Sequence, residues 1–566
     1  MTAPRSRTSY DIQIMRGGRW ATETRLTDED VAKTTAQSRV ADPKCEGVRV
    51  LRCWLRADGT EMENEIFCKT QTVREDSVDH IDHVDLVPEP CKKLEDYFGL
   101  ASRLVMGRIF HSYLDKVTLT PTEVLHSSRD LKRLRDKGTM VPSAVDRVAS
   151  LQARASGGDA KARREEIFKA IEDILAKARN LESIGLPSQK NSLTDIVNGL
   201  PPTTDQWERD YLVRTALTRD LKDIRSFSGK LERLCKLAQG VEVPALAALM
   251  DGFIAELLET SAVQEILGWQ AGLGAAICSM IDLADGTFSN RKSDAPEAAA
   301  LLNRLFAERR LPESRAGMID RAHRQVSAAS PLYRSDDQQE YDAFKKVLLK
   351  LLTLRGLLDG PKTALALTHR YLHLTKGGAR FDAVSGVFRA MPDRAYGIIY
   401  LCELAHGEFA AEAAMKLAET YPAGIEGQHI TNLVQSRLSP KDRMLRAACA
   451  FNAVMAAPYA QDIKQPVLSH IDRLLDEYLV EEKIIERLDH PGSALRDRAL
   501  RLVQFCSSGV LPEGRALTRA RQRTIELLRQ PNFDEHFVEG IADPVKARDA
   551  LRDFHRLLVG KAGFAL

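Results

Sequence analysis

Arg515, Arg519 and Arg523 recur at every fourth position, which on a helix sets three guanidinium groups along one face. A guanidinium presents a planar fork of donors that matches a carboxylate or a phosphate. The stripe is therefore a candidate docking surface for other proteins with acidic character. It lies in a run, residues 491–530, that holds eight arginines against three acids, and the run before it, 471–490, holds seven acids against three bases. Such a contrast also lets the two runs satisfy each other within the chain.

Two histidine pairs have spacings that could serve a metal. His369 and His373 stand four apart and share a helix face. A zinc hydrolase with that spacing carries Glu directly after the first His, whereas here the position is Arg370. Leu365, Leu367, Tyr371 and Leu372 around them read as a partly buried helix whose histidines bond to neighbours. His80 and His83 alternate with Asp79, Asp82 and Asp85, a set able to hold a divalent ion if the segment were preorganised. Its short, polar context reads as a solvated linker, so no metal and no cofactor is assigned.

Nucleotide and covalent chemistry have weaker footing. Gly356 to Thr363 approaches a phosphate loop, but Pro361 occupies the second glycine position and brings no amide. Gly360 reads instead as a helix stop after the run Lys345–Leu354. No G-x-S-x-G elbow occurs. Cys278, Cys402, Cys449 and Cys506 sit in apolar helical contexts, where cysteine acts as a small core residue. The nine cysteines are scattered and never form C-x-x-C, which is the usage of a reducing cytoplasm. No catalytic residue is assigned.

The elements that must position these residues divide sharply. Lys and Arg number 81 against 79 Asp and Glu, and 44% of residues are hydrophobic, a balance that excludes a disordered chain and argues against a dedicated nucleic-acid binder. Residues 1–8 read as disordered, and residues 9–71 as a small ββαββ module. Tyr10, Ile12 and Ile14 alternate with polar residues before Gly17-Gly18, and Trp20, Thr22, Thr24 and Leu26 are expected on one face of the returning strand. Thr27 is expected to cap a helix that ends near Val40, before Asp42-Pro43. Two further strands follow, turning at 57–59. Their cysteines, Cys53 and Cys68, have no register that the sequence can fix.

Tyr10-Asp11-Ile12-Gln13, Gly18-Arg19-Trp20 and Gly47-Val48-Arg49-Val50 together resemble a small module at the front of uncharacterised bacterial proteins. The resemblance implies a bacterial source and brings no catalytic motif.

Residues 72–90 form an acidic connector. Beyond it the chain reads as mainly α, with helical domains at 91–240, 241–360 and 361–566 and about twenty helices joined by short loops. Thr120-Pro121-Thr122-Glu123 is a capping-box signature, and Gly240, Gly286 and Gly360 are expected to end helices. Ser439-Pro440 with Arg446-Ala447, and His490-Pro491 with Arg498-Ala499, resemble the second helix of HEAT-like repeats. An irregular HEAT-like array and a globular helical domain are the two readings of this body. Ile266–Ile281 is the longest uncharged apolar stretch, too short to span a bilayer, and reads as one buried helix. The N-terminus has no apolar core of a secretory signal.

The expectation is a cytoplasmic, non-catalytic interaction, scaffold or adaptor protein with no membrane span. An enzyme or ligand-gated regulator with a pocket between helices is the alternative, and nucleic-acid binding the third.

Overall fold

The computed structural model describes residues 8–16, 19–39, 47–55, 61–70, 81–82, 84, 87, 89–187, 192–289, 291, 293–334, 337–421 and 429–560. The expected turns at Gly17-Gly18 and 57–59, the stop at Asp42-Pro43, His80 and His83 lie outside them. The chain divides into two compact units, Met1–Asp82 with Arg133–Arg147, and His83–Lys132 with Val148–Leu566.

The first unit contains β1 (Ser9–Arg16), β2 (Arg19–Leu26), α1 (Glu29–Arg39), β3 (Gly47–Leu55) and β4 (Glu61–Thr70), in the expected order ββαββ. All strand pairs are antiparallel and the sheet order is β2-β1-β3-β4. Tyr10, Ile12, Ile14, Val48 and Val50 pack against Ala32 and Ala36 of α1, whose small side chains let the helix lie close. Two details depart from the sequence reading. Asp28, not Thr27, caps α1, accepting from the Val31 amide at 3.0 Å. A register shift pairs Ile12 with Thr24 but Gln13 with Thr22, so Glu23 is bulged out. Trp20 and Thr22 therefore face away from Thr24 and Leu26. Cys53 lies opposite Glu63 and Cys68 opposite Arg49, so the two thiols are not cross-strand partners.

The remaining chain is helical. It begins with α2 (Leu94–Tyr97), α3 (Leu100–Ile109), α4 (His111–Val117), α5 (Pro121–Leu125), α6 (Ser128–Arg135), α7 (Met140–Ser156), α8 (Ala160–Asn180), α9 (Leu193–Asn198) and α10 (Gln206–Leu221). Next come α11 (Phe227–Ala238), α12 (Pro244–Leu257), α13 (Ala262–Leu267), α14 (Leu273–Ala284), α15 (Pro296–Ala307), α16 (Pro312–Ser327) and α17 (Asp337–Lys350). A short ladder, β5 (Leu352–Thr353) with β6 (Gly356–Leu357), interrupts the helices where none had been expected. Then follow α18 (Gly360–Leu374), α19 (Arg380–Ala390), α20 (Arg394–Leu404), α21 (Ala410–Thr420), α22 (Ile430–Leu433), α23 (Pro440–Ala456) and α24 (Gln461–Glu481). The last are α25 (Ile484–Leu488), α26 (Leu495–Ser507), α27 (Arg515–Leu528), α28 (Phe533–Phe537) and α29 (Pro544–Gly560).

The described residues thus hold 29 helices, more than sequence periodicity yields. The surplus consists of helices of four to seven residues such as α2, α5, α22 and α25, too short to show a repeat of apolar positions. Ile266–Ile281 is two helices: Gly268 adopts φ 62° after α13, a conformation open to glycine, and the chain restarts at α14. Gly240 and Gly286 follow helix ends as expected, but Gly360 opens α18. Pro440 starts α23 behind a Ser439 cap, whereas α26 starts at Leu495, beyond Pro491.

One continuous apolar cluster runs from Leu193 to Leu558. Through it α12, α16, α18, α20, α23, α24 and α27 follow one another, each packed on the next. Residues 395–402 of α20 are all buried, so this helix is apolar all round and occupies the interior.

Buried carboxylates join successive helices. Asp251 of α12 accepts from the amides of Glu313 and Ser314 at 2.7 and 2.9 Å, capping α16 from outside that helix. Asp393 caps α20 through the Tyr396 amide and also accepts from Arg446 of α23 at 3.2 Å, whose guanidinium lies over the Tyr396 ring. Glu256 accepts from the Thr122 amide at 2.9 Å, from its hydroxyl at 2.7 Å, and from Arg103. The capping box at Thr120–Glu123 is present, and its Glu123 is paired with Lys230 of α11 at 2.7 Å, both side chains 2% exposed. Burial raises the Glu123 carboxyl pKa despite that ammonium.

Removing one partner of a fully buried pair strands the other in a medium that solvates it poorly. Glu256→Ala is expected to cost about 3–5 kcal/mol. Urea unfolding followed by circular dichroism checks this, and a loss below about 1 kcal/mol would show that water reaches Arg103 in the variant.

Candidate functional site

Helices α24 and α27 pack on one another, and their buried side chains include Leu475 and Leu479 of α24 and Ala516, Leu517 and Ala520 of α27. The pairing brings charged groups of the two helices within bonding reach. Asp472 and Asp476, four apart, share one face of α24. Asp472 accepts from the Arg515 amide at 2.8 Å and so caps α27. The residue before Arg515 is Gly514, where a Cβ would fall 2.2 Å from the Asp472 oxygen, so a larger residue would have to displace the carboxylate that caps α27.

The three arginines of the stripe have different surroundings. Arg519 donates its fork to Asp476, Nε at 2.6 Å and Nη2 at 2.9 Å. That bond holds the Asp476 carboxyl below the usual carboxylate range. Arg523 donates to Asp489 at 2.7 Å and to Glu526 at 2.9 Å. Asp489 is buried and also accepts from Arg498 at 2.8 Å, so one carboxylate gathers α26 and α27 at the end of α25. Arg515 alone projects, its side chain 75% exposed and 3.9 Å from Asp472. Periodicity finds the stripe, but nothing local marks Asp489 as the acid that anchors it.

Between α24 and α27 lies an open cleft of about 970 Å³. Leu479, Val480 and Ile485 form its apolar part, with Val480 half exposed. Asp472, Asp476, Glu486 and Glu526 alternate with the three arginines around it. Such a surface can take an apolar side chain and exchange hydrogen bonds with charged groups of either sign.

The other sequence candidates are dispersed. His369 bonds Glu408 at 2.6 Å and meets the Phe409 ring edge-on, while His373 reaches the Ser327 carbonyl at 3.2 Å. The two imidazoles thus serve separate partners on their helix. Among the described residues, no three His, Cys, Asp or Glu side chains converge as a metal site. No disulfide joins the eight described cysteines, and burial pushes the thiols of Cys235 and Cys402 up. No helix among the described residues is long and apolar enough to cross a membrane.

A second polar cluster carries no signal in the sequence, because its members lie far apart along the chain. His126 is buried against Tyr211 and Phe98, with centroids 4.6 and 5.3 Å away, and its Nδ1 bonds the Thr122 carbonyl at 2.8 Å. Lys177 lies over Trp207 and Tyr211 at 4.2 and 4.6 Å. Burial, together with the charges of Arg214, Arg103 and Lys177, pulls the His126 pKa down to about 3. The imidazole is neutral in the folded protein, in keeping with a structural part.

No family model, curated protein or solved structure matches this chain. The class defined by fold and site is a helical protein with a small antiparallel sheet module and an open, mixed-charge cleft near its last helices.

Two outcomes are expected. Asp489→Ala leaves Arg498 and Arg523 without their shared acceptor and should destabilise by about 2–3 kcal/mol in urea melts, whereas Asp476→Ala, whose pair is half exposed, should cost under about 1 kcal/mol. For His126, the unfolded imidazole binds its proton near pH 6.5 and the folded one near 3. Between those values the unfolded state holds the extra proton, so stability falls as pH falls, by up to about 1.4 kcal/mol per unit. His126→Asn should flatten that dependence between about pH 7 and about pH 5. An unchanged slope would assign it to other groups.

Proposed function

We propose that the protein is a non-catalytic interaction or scaffold protein of the bacterial cytoplasm, and that the α24–α27 cleft docks a partner protein. The observation that carries this reading is the cleft itself: half-exposed Val480 and projecting Arg515 line it beside the ion pairs of Arg519 and Arg523. The partner segment places an apolar side chain on Val480 and Ile485 and a carboxylate on Arg515. Burial of the apolar group supplies most of the affinity, and the charge pair fixes orientation. The nine cysteines are scattered and never form C-x-x-C, which supports a reducing compartment.

Arg519 and Arg523 hold α27 within the chain, so reversing their charge alters stability along with binding. Arg515→Glu is the cleaner probe. A photo-crosslinking residue at Val480 should capture a discrete protein partner in the native host. Purified partner should bind roughly tenfold more weakly to Arg515→Glu, with the helical circular dichroism spectrum unchanged. Absence of a protein adduct would overturn the reading. A melting-point rise with a nucleotide, metal ion or metabolite would favour the ligand-gated regulator or enzyme. Steep salt-dependent binding of an oligonucleotide would favour the nucleic-acid reading.

A further inference from the structure

We propose that a second groove, on the other side of α25, docks an acidic peptide segment through one or two bulky apolar side chains. Lys483 takes a left-handed φ of 49° after α24 and turns the chain into this short helix. Ile485 and Glu486 line the α24–α27 cleft, while Ile484, Arg487 and Leu488 line the second groove. α25 is thus a wall one turn thick between two surfaces.

The second groove measures about 460 Å³. Its apolar lining includes Met444 from the start of α23, Ile484 and Leu488 from α25, and Phe505 from α26. Lys441, Arg487 and Arg501 are its charged groups, and no acidic side chain among the described residues lines it. Arg501 bonds the Asp497 carbonyl of its own helix at 3.1 Å, a contact that leaves its charge uncompensated, and among the described residues no carboxylate stands within ion-pair reach of it. Arg487 has an exposed carboxylate, Glu482, at 3.8 Å, a weak neutraliser in water. The contrast with the first cleft is one of sign: there acids and arginines alternate and pair, here three cations rim an apolar floor. Such a rim repels basic segments and favours acidic ones.

Size and shape narrow the occupant further. The volume suits one or two large side chains, and the groove is too open to enclose most of a small ligand's surface as a specific small-molecule site does. A macromolecular segment inserting anchors spaced three or four apart along a helix meets both conditions. The inference extends the platform reading to another face, but it rests on a different observation and fails separately.

The test uses the full-length protein and a fluorescein-labelled synthetic helical peptide of Glu and Ala carrying Leu and Phe three positions apart. Fluorescence anisotropy should show saturable binding. Lys441→Glu with Arg487→Glu, both exposed positions, should weaken it roughly tenfold at unchanged melting temperature. Replacing Leu and Phe of the peptide by Ser should weaken it similarly, and Arg515→Glu across the wall should leave it unaltered. Equal binding by the Ser peptide would reduce the effect to charge alone and overturn the proposal. So would an unaffected double variant. A dimer in sedimentation that Arg487→Glu dissociates would assign the groove to a second copy of the chain and overturn it also.

Discussion

Buried acids that bond across helices are the constraint on which the helical body depends. An apolar seam between two helices fixes their proximity but leaves sliding and rotation cheap, because dispersion contacts carry little direction. Asp251 on the amides of α16, Asp393 between α20 and Arg446, and Glu256 on Thr122 and Arg103 each define one register. A shift by one residue would leave an ionised group or an orphan amide without water, a penalty larger than the loss of any single apolar contact. Such polar pins fix the angles at which α12, α16, α20 and α23 cross.

The same device builds the surface near the last helices. Asp472 caps α27, Asp476 holds Arg519, and Asp489 joins Arg498 with Arg523. Once these bonds are made, two of the three guanidinium groups in the stripe serve the fold. The recognition chemistry left over is concentrated in Arg515 and in the apolar side chains that the ion pairs frame.

Much of this was legible in the amino-acid sequence, and the boundary of legibility has a physical basis. The ββαββ order follows from period-two alternation. Thr120 to Glu123 announces its capping box because both partners lie within four residues. The bulge at Glu23 was not legible, since it changes no residue type, only the pairing. The break at Gly268 was hidden by continuous hydrophobicity on both sides. For the site, the four-residue spacing of the arginines could be read directly. Their partners could not, because Asp476 stands 43 residues before Arg519, and Asp489 34 before Arg523.

Those separations share a direction, which Glu256, 134 residues after Thr122, does not follow. Asp251 precedes the amides it caps by 62 and 63 residues, Asp393 precedes Arg446 by 53, and Asp472 precedes the Arg515 amide by 43. During synthesis each of these acids leaves the ribosome ahead of the group that will bond it. Until then it rests ionised in solvent, a state without penalty, while the later helix emerges to find its anchor already displayed. Vectorial growth and the polarity of these pins therefore agree, and this stretch of the chain can assemble in the order in which it is made.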